Sequence, residues 1–372
     1  MDDQSDLNKS LHDALSLESR ASTSDTSPQE SNSDAFRKIG AGACGAIFAQ
    51  DEQPYVFKLA KSPDPTEVWN DYVKHDTIAR AFQQHNFNDV TIPACHFFVP
   101  SDRHSFWVKQ KPLLDAARDV CNLPTAALVT ERIPPLPHKA RELLINKYCS
   151  PSIQDAARVD LANRDCLVRP YLGYGRGKVR QILFSLRNFK LHLNYMVGLQ
   201  LETEDLARRM AKTLAVMHWG AKTDVRDVEF VLGSSTTKRA PKKPFSARDF
   251  PPCGYTGPPT DNIGDFFCRE TKLFVLDFNR VRDITMDDEG VAMAVEAWRL
   301  NDPYYPKPFR ESNAEEIIWE AFVSSYLATS EQVLRNDLEG CDDMVLGLPQ
   351  KFIMGITEVE RARLEARKGS EA

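Results

Sequence analysis

The feature that most constrains this chain is a glycine cluster, Gly40-Ala41-Gly42-Ala43-Cys44-Gly45, between two short strand-like segments. Residues 36–39 precede the cluster and residues 46–49 follow it, and both have the composition of short β-strands. Glycine lacks a Cβ atom, so a glycine loop lets backbone N–H groups approach a phosphate closely. A strand on each side favours a β-hairpin over the strand-to-helix turn of a dinucleotide-binding fold. A plain hairpin turn without a ligand is the alternative interpretation.

A lysine lies in the third strand-like segment, residues 55–59, thirteen residues after the cluster ends. A lysine at this position, Lys58, can face a phosphate beneath the glycine loop, although an edge-strand surface position is the alternative. A buried ammonium group needs an acidic partner. The helix predicted over residues 67–82 offers Glu67 and Asp71. We favour Asp71, because the helix then keeps its apolar face towards the core.

Two later segments place carboxylates next to short apolar strands. A hydrophobic strand that begins at Leu273 ends in Asp277-Phe278-Asn279, and asparagine tolerates the positive φ of a tight turn better than other non-glycine residues. Earlier in the chain, Asp224 precedes Glu229 by five residues, and an apolar strand follows. Asp227 is the rival of Asp224 for a proton-accepting role. Turn-forming or solvated carboxylates are the alternative interpretation of both segments.

In this order the motifs resemble the protein-kinase-like fold, within the broad group that includes the aminoglycoside and choline phosphotransferases. The resemblance covers about residues 36–330. The chain is most similar to a fungal kinase-like domain family of uncharacterised function, sometimes labelled a zinc-finger protein, through residues 184–189, 215–219 and 227–233. The resemblance implies an α+β, two-lobed kinase-like fold, with a small β-rich N-lobe, a larger helical C-lobe and a nucleotide cleft between them.

The resemblance also implies the ligands, ATP and Mg²⁺, and the residues that hold them. The expected cofactor-binding residues are Gly40, Gly42, Gly45, Lys58, Asp71 and Glu131. The expected metal ligands are Asp277 and Glu229, whose carboxylates suit a hard cation. The expected catalytic residues are Asp224, which would accept the proton of the acceptor hydroxyl, and Arg226, which would contact the moving phosphate.

Three departures from the kinase pattern leave two hypotheses open. Lys222-Thr223 replaces the usual His-Arg, Glu229 replaces an asparagine, and Asn279 replaces a glycine; an Ala-Pro-Glu segment is also missing. The first hypothesis is ATP- and Mg²⁺-dependent transfer of phosphate to a hydroxyl of an unknown small molecule or protein. The second is a pseudokinase that binds nucleotide or protein partners without catalysis.

The motifs divide the chain into three parts. An acidic tail over residues 1–35 is predicted to be disordered. Either a short apolar helix around residues 7–17 forms on contact with another surface, or the tail is solvated and has no partner. Residues 36–131 are the expected N-lobe. Residues 132–372 are the expected helical C-lobe, which contains a flexible insert over 234–271 and a metal-binding strand over 273–279.

Charge and composition exclude several classes of partner. Residues 1–35 carry eight acidic and two basic side chains, which accounts for the whole net charge of −6. The remainder is formally neutral, so nucleic acid is not an expected partner. Eight scattered cysteines without a C-x-x-C pair argue against structural zinc and against a disulfide scaffold.

The chain begins with neither a signal peptide nor a membrane-length apolar run, so we expect a cytoplasmic or nuclear protein that is not secreted and has no membrane partner. A basic cluster over residues 238–244 is either a nuclear-import signal or, more simply, a solvated loop. A nuclear adaptor that uses the acidic tail and this basic cluster is a third, weaker hypothesis.

Overall fold

The computed structural model describes residues 2–22, 35–51, 53–175, 184–235, 238–239, 267–301, 303–310, 312–337 and 343–371. Within them the chain forms an α+β fold with two β-sheets. The strands are β1 (Arg20–Ser22), β2 (Arg37–Ala41), β3 (Gly45–Ala49), β4 (Tyr55–Ala60), β5 (Cys95–Val99), β6 (Ala127–Glu131), β7 (Val168–Tyr171), β8 (Phe189–His192), β9 (Glu229–Ser234), β10 (Lys238–Arg239) and β11 (Phe267–Leu276). The helices are α1 (Asp2–Leu15), α2 (Thr66–Gln84), α3 (His104–Lys109), α4 (Lys111–Ala117), α5 (His138–Tyr148), α6 (Gln154–Val159), α7 (Leu193–Gly198), α8 (Thr203–Ala215), α9 (Asp288–Leu300), α10 (Asn313–Asp337), α11 (Asp343–Leu346) and α12 (Leu348–Glu371).

The first sheet is antiparallel, with the strand order β2-β3-β4-β6-β5. The glycine cluster forms the turn between β2 and β3, where the Gly42 N–H donates to the Gly45 carbonyl at 2.9 Å. The predicted strand–loop–strand hairpin is therefore confirmed. Alternating residues of β3 and β4, such as Phe48 and Leu59, fill a core of their own beneath this sheet, together with Trp107 from α3.

Helix α2 connects this sheet to the rest of the molecule. Near its start, Val68 packs against the first sheet, beside Leu128. About three to four turns further along, Ile78 and Phe82 belong to the large core of the second half. Because one rigid helix contributes to both cores, it fixes the distance between the residues that each sheet presents to the other.

The second sheet follows the order β1-β11-β9-β7-β8, with β10 also paired to β11. Strands β9 and β11 are antiparallel, and their register places Leu276 opposite Glu229. Asp277 follows directly, so the two carboxylates that the sequence motifs single out lie at the same end of this strand pair. The second half is thus less purely helical than predicted, because β7 and β8 add two strands that the sequence pattern did not indicate.

Helices α8, α9, α10 and α12 pack around one aromatic core beside the second sheet. A single π-helical turn over Val216–Gly220 continues α8 into this core. It carries His218 and Trp219, which are both buried, and His218 Nδ1 lies 2.9 Å from the Tyr326 hydroxyl. Of the helices in the described part of the chain, none is both long and apolar enough to cross a membrane.

The prediction that residues 1–35 are disordered is wrong for residues 2–22. Leu11 and Leu15 lie one turn apart on α1 and are fully buried in the large core, against α5. Strand β1 then pairs with β11, through partners such as Arg20 and Glu270. The surface on which an apolar helix was expected to form is therefore part of the same chain. Residues 23–34 lie outside the described residues.

The prediction that residues 234–271 form a flexible insert is also wrong at both ends of this range. Ser234 and Ser235 are buried, with Ser234 as the last residue of β9, and β11 already begins at Phe267. Strand pairing with β9, and with β1, orders the residues that the lysine- and proline-rich composition had suggested were mobile. Of the basic cluster over 238–244, only the first two residues are described, as β10; the rest of it and residues 245–266 lie outside the described residues.

Candidate functional site

A cavity of about 210 Å³ lies between the glycine hairpin and the end of the β9–β11 pair. The sequence-predicted residues that line it are Gly40, Gly42, Gly45, Lys58, Asp71, Glu131, Asp277 and Glu229. Every expected cofactor-binding residue and both expected metal ligands therefore face one cavity. The two expected catalytic residues, Asp224 and Arg226, do not line it.

Lys58 lies at the centre of this cavity between two carboxylates. Its Nζ atom is 2.5 Å from Asp71 Oδ2 and 2.7 Å from Asp277 Oδ1, and the side chain is only 12% exposed. Burial opposes the charge, but Asp277 and Asp71 together hold the pKa of Lys58 well above its ordinary value. The expected pair of Lys58 with Asp71 is therefore present, whereas Glu67 lies 3.5 Å from Arg280 instead.

The glycine hairpin lies directly over Lys58. A Cβ atom at position 45 would come within 3.1 Å of both the Lys58 Cγ atom and the Leu59 carbonyl oxygen, so only glycine lets the hairpin approach this closely. At position 42 a Cβ atom would meet nothing within 4 Å. The close approach therefore requires Gly45, while Gly42 leaves open space at the tip of the turn.

Helix α2 holds the turn that contains Asp277. Asp71 Oδ1 accepts a hydrogen bond from the Phe278 N–H at 3.1 Å, and the Asn70 side-chain amide donates to the carbonyls of Asn279 and Val281, both at 2.9 Å. The residue with positive φ is Asp277, at 68°, rather than Asn279 as the sequence suggested. The strained residue of this turn is thus the one whose carboxylate contacts Lys58.

Glu229 is paired with an arginine that no sequence motif had indicated. Glu229 is the first residue of β9, and its Oε2 atom lies 2.5 Å from Nη2 of Arg169 in β7. Burial is the main reason that the pKa of Glu229 is raised to about 7. Arg169 lowers this pKa, whereas the negative charges of Asp277 and Asp227 raise it further.

Asp277 and Glu229 have the chemistry of ligands for a hard cation, but they do not form a complete protein site. No group of three or more His, Cys, Asp and Glu side chains is placed to hold a metal ion in the described parts of the chain. Mg²⁺ usually binds through one or two carboxylates plus substrate phosphates and water. The two carboxylates therefore fit a metal ion that arrives with a ligand, and do not fit a structural zinc site.

The placement of Asp224 does not support the catalytic role expected of it. The side chain is fully buried, its Oδ2 atom accepts from Arg282 Nε at 2.6 Å, and Oδ1 accepts from the Arg282 N–H at 2.8 Å. The adjacent residue, Thr223, forms a β-bridge with Asp283. Asp224 therefore ties its loop to the segment after Asp277, and no acceptor hydroxyl can reach it in this arrangement.

The carboxylate of Asp227, the rival, is accessible. It is 51% exposed and lies 3.6 Å from Arg280, and the residue has a positive φ of 65°. Burial, and then Asp277, raise the pKa of Asp227. Arg226 lies 3.9 Å from Glu296 on α9, away from the cavity. The loop thus presents Asp227, three residues after the position that the spacing argument selected.

The sequence motifs did not predict several cavity residues, because β7 and β8 carry no recognisable motif. Arg169 and Asn188 line the wall around Glu229, and Asp165 lies beside them. Arg37 on β2 forms two hydrogen bonds with Asp165, one of them at 2.8 Å, so an ion pair links the two sheets at this end. Alternation in Val168-Arg169-Pro170-Tyr171 is the one signal that could have indicated this strand.

Comparison with known proteins adds one finding. A family model described as "Zinc finger protein" matches residues 273–338, from the middle of β11 to just past the end of α10. The chain matches no curated protein and no solved structure. The matched segment includes Asp277 and the buried turn that follows it. The six cysteines in the described residues are all free, which gives the zinc description no ligand set there.

Proposed function

We propose that this chain is a kinase-like phosphotransferase, which binds ATP with Mg²⁺ in the cleft between its two sheets and transfers phosphate to a hydroxyl of a small molecule or protein. The observation that carries the proposal is Lys58, held at 2.5 and 2.7 Å between Asp71 and Asp277 beneath a glycine hairpin. A buried, charged lysine with two carboxylates is suited to a polyphosphate ligand that brings its own cation.

The arrangement of elements supports a two-lobed interpretation. The first sheet and α2 correspond to a small lobe with its own core, and the second sheet and the remaining helices correspond to a large lobe. The connection between them, after β6, runs through Ile133 and Pro135, which line the cavity. If the adenine base of ATP enters the cleft at this end, the phosphates of the nucleotide point towards Lys58.

The proposed roles follow from charge and position. Lys58 and the backbone of the glycine hairpin bind phosphate oxygens. Asp277 and Glu229 hold Mg²⁺, which neutralises charge on the transferred phosphate when it is bound. Asp227 orients the acceptor hydroxyl and takes its proton, for which a carboxylate with a raised pKa is well suited. Asp224 has a structural role in this scheme.

A second candidate function is nucleotide binding without transfer. It is favoured by one observation, the complete burial of Asp224 at the position that the kinase spacing assigns to the base. If Asp227 does not take over that role, the cleft keeps its phosphate and metal ligands but has no group to orient an acceptor.

Transfer of labelled γ-phosphate from ATP to a panel of sugar, amino-alcohol and serine-containing peptide acceptors tests the proposal. Wild type should label at least one class, and Asp227→Asn should reduce turnover about 10²–10⁴-fold, with nucleotide affinity nearly unchanged. Asp155→Asn, a fully exposed aspartate far from the cavity, is the matched control. Nucleotide binding without labelling of any acceptor would select the second candidate.

A further inference from the structure

Besides Lys58, the cavity wall contains Arg169, a cation to which the proposed function assigns no role. Its side chain is 17% exposed, and Nη2 lies 2.5 Å from Glu229 Oε2. The Arg169 Nε–H is buried and has no hydrogen-bond acceptor within the described part of the chain. Glu229 is thus the one anionic partner of this guanidinium in the described residues, and the unpaired Nε–H can donate to a further anion.

Three cations line the cavity, and Arg132 is paired with Asp165. The other two are paired with carboxylates that the proposed function assigns to Mg²⁺. Lys58 pairs with Asp277, and Arg169 pairs with Glu229. If these two carboxylates bind a metal ion, Lys58 still has Asp71. Arg169 has no such reserve, since Glu229 is the one carboxylate within ion-pair distance of it among the described residues. A buried guanidinium left without an anion is strongly unfavourable.

The other carboxylates that line the cavity have partners of their own. Asp71 and Asp277 pair with Lys58, and Glu131 accepts from the Ala94 N–H. Asp165 already accepts hydrogen bonds from Arg37, and its Oδ1 atom lies 3.4 Å from Arg132 Nη2. These two arginines engage both carboxylate oxygens. The replacement anion for Arg169 must therefore come from the ligand, and the planar guanidinium fork matches the oxygens of a phosphate group.

We propose that Arg169 is a specificity-determining residue that binds a phosphate oxygen of the metal-bound nucleotide in exchange for Glu229. This inference rests on the proposed function and deepens it, because it makes metal binding and phosphate binding interdependent. When Glu229 holds the metal ion, Arg169 would donate to the phosphate chain in place of Glu229. The cleft then distinguishes a nucleotide from a nucleoside through two cations, Lys58 and Arg169.

Titration calorimetry with ADP and with adenosine, each with and without Mg²⁺, tests this exchange. Arg169→Gln should weaken ADP binding in Mg²⁺ about tenfold to hundredfold, the loss of a charge-assisted hydrogen bond, and should leave adenosine binding unchanged. Arg169→Lys keeps the charge without the fork, so its loss should be smaller. Arg118→Gln, 74% exposed and not part of the cavity wall, is the control.

The outcomes separate this inference from the proposal beneath it. An unchanged ADP affinity in Arg169→Gln, or an equal loss for ADP and adenosine, would overturn the role of Arg169 while leaving nucleotide binding intact. No ADP binding by wild type would overturn the proposed function and this inference with it. Arg169→Gln could fail to fold because it leaves the charge of Glu229 uncompensated. In that case the double variant Arg169→Gln/Glu229→Gln restores neutrality. Arg169→Lys then provides the same comparison of ADP with adenosine.

Discussion

Single charged residues determine what the cavity can bind. Lys58 is buried, yet its pKa is held well above its ordinary value, because Asp277 and Asp71 lie within hydrogen-bond distance. Burying a charge is favourable only where partners of opposite sign compensate for lost water. The site therefore contains charge pairs that a ligand can exchange. The sequence pattern was sufficient to indicate one of them, the pair of Lys58 with Asp71.

Changing Asp224 to asparagine should lower the free energy of unfolding much more than the same change at Asp227. Asp224→Asn should lower the free energy of unfolding by about 1.5–3 kcal/mol, because it weakens charge-assisted hydrogen bonds to the partly exposed Arg282. Asp227→Asn should change the free energy of unfolding by less than about 0.5 kcal/mol, since this side chain is half exposed. Urea denaturation of both variants measures the difference, and equal effects would contradict the structural role of Asp224.

His218 should make the fold sensitive to mild acid. Burial lowers its pKa to about 3, whereas the unfolded chain binds the proton near pH 6.5. The stability that neutral His218 contributes is thus present above pH 6.5 and is lost as the pH falls towards 3, by about 2 kcal/mol at pH 5.

The comparison variant for this effect is His218→Asn, which does not titrate. Chemical denaturation at pH 7.5 and pH 5 should show the stability difference between wild type and His218→Asn shrinking by about 2 kcal/mol at the lower pH. A difference that is the same at both values would mean that the imidazole is not shielded from protons in the folded state.

At the scale of elements, α2 assembles the site. The Asn70 amide donates to the carbonyls of Asn279 and Val281. Asp71 accepts from the Phe278 N–H, and Lys74 pairs with Asp283. The helix therefore fixes the turn after β11 before any ligand binds. Periodicity over residues 67–82 was enough to predict this helix, because its apolar residues recur every three to four positions.

The N-terminal helix shows where sequence patterns were insufficient. Leu7, Leu11 and Leu15 recur at helical spacing, but the surrounding acidic and serine-rich composition indicates disorder equally well. What decides between the two is a distant surface formed by α5, which no local pattern reveals. The insert was misjudged for the same reason, since the order of Phe267–Leu276 depends on pairing with β9 and β1.

Helix α1 should contribute substantially to stability. Leu11→Ala removes a fully buried side chain from the large core and should lower the free energy of unfolding by about 2–5 kcal/mol. Leu161→Ala, at a position that is 57% exposed, is the control and should cost far less. Thermal and urea unfolding of both variants measure this contribution. Equal, small effects would mean that residues 2–15 do not dock on the core in solution.

At the scale of the whole molecule, the proposed function depends on two sheets that face one another across a cavity. Residues distant in sequence meet there: Lys58 from β4, Asp71 from α2 and Asp277 from the end of β11. Motif spacing predicted these three, and it predicted Glu229. It did not predict that Asp224 is buried or that Arg169 faces the cavity, because side-chain direction in a loop and pairing by a motif-free strand depend on tertiary packing.

Titration calorimetry of wild type and Lys58→Met with ATP and Mg²⁺ tests the central claim, that this cavity binds a nucleotide. Wild type should bind, and saturation at 100 times the dissociation constant should add about 2.7 kcal/mol to its stability. Lys58→Met should weaken binding at least about tenfold, the loss of one charge-assisted contact, while Lys351→Met, at a half-exposed position on α12, should bind like wild type. No heat and no thermal shift with any nucleotide up to millimolar concentration, or equal binding by Lys58→Met, would contradict the account.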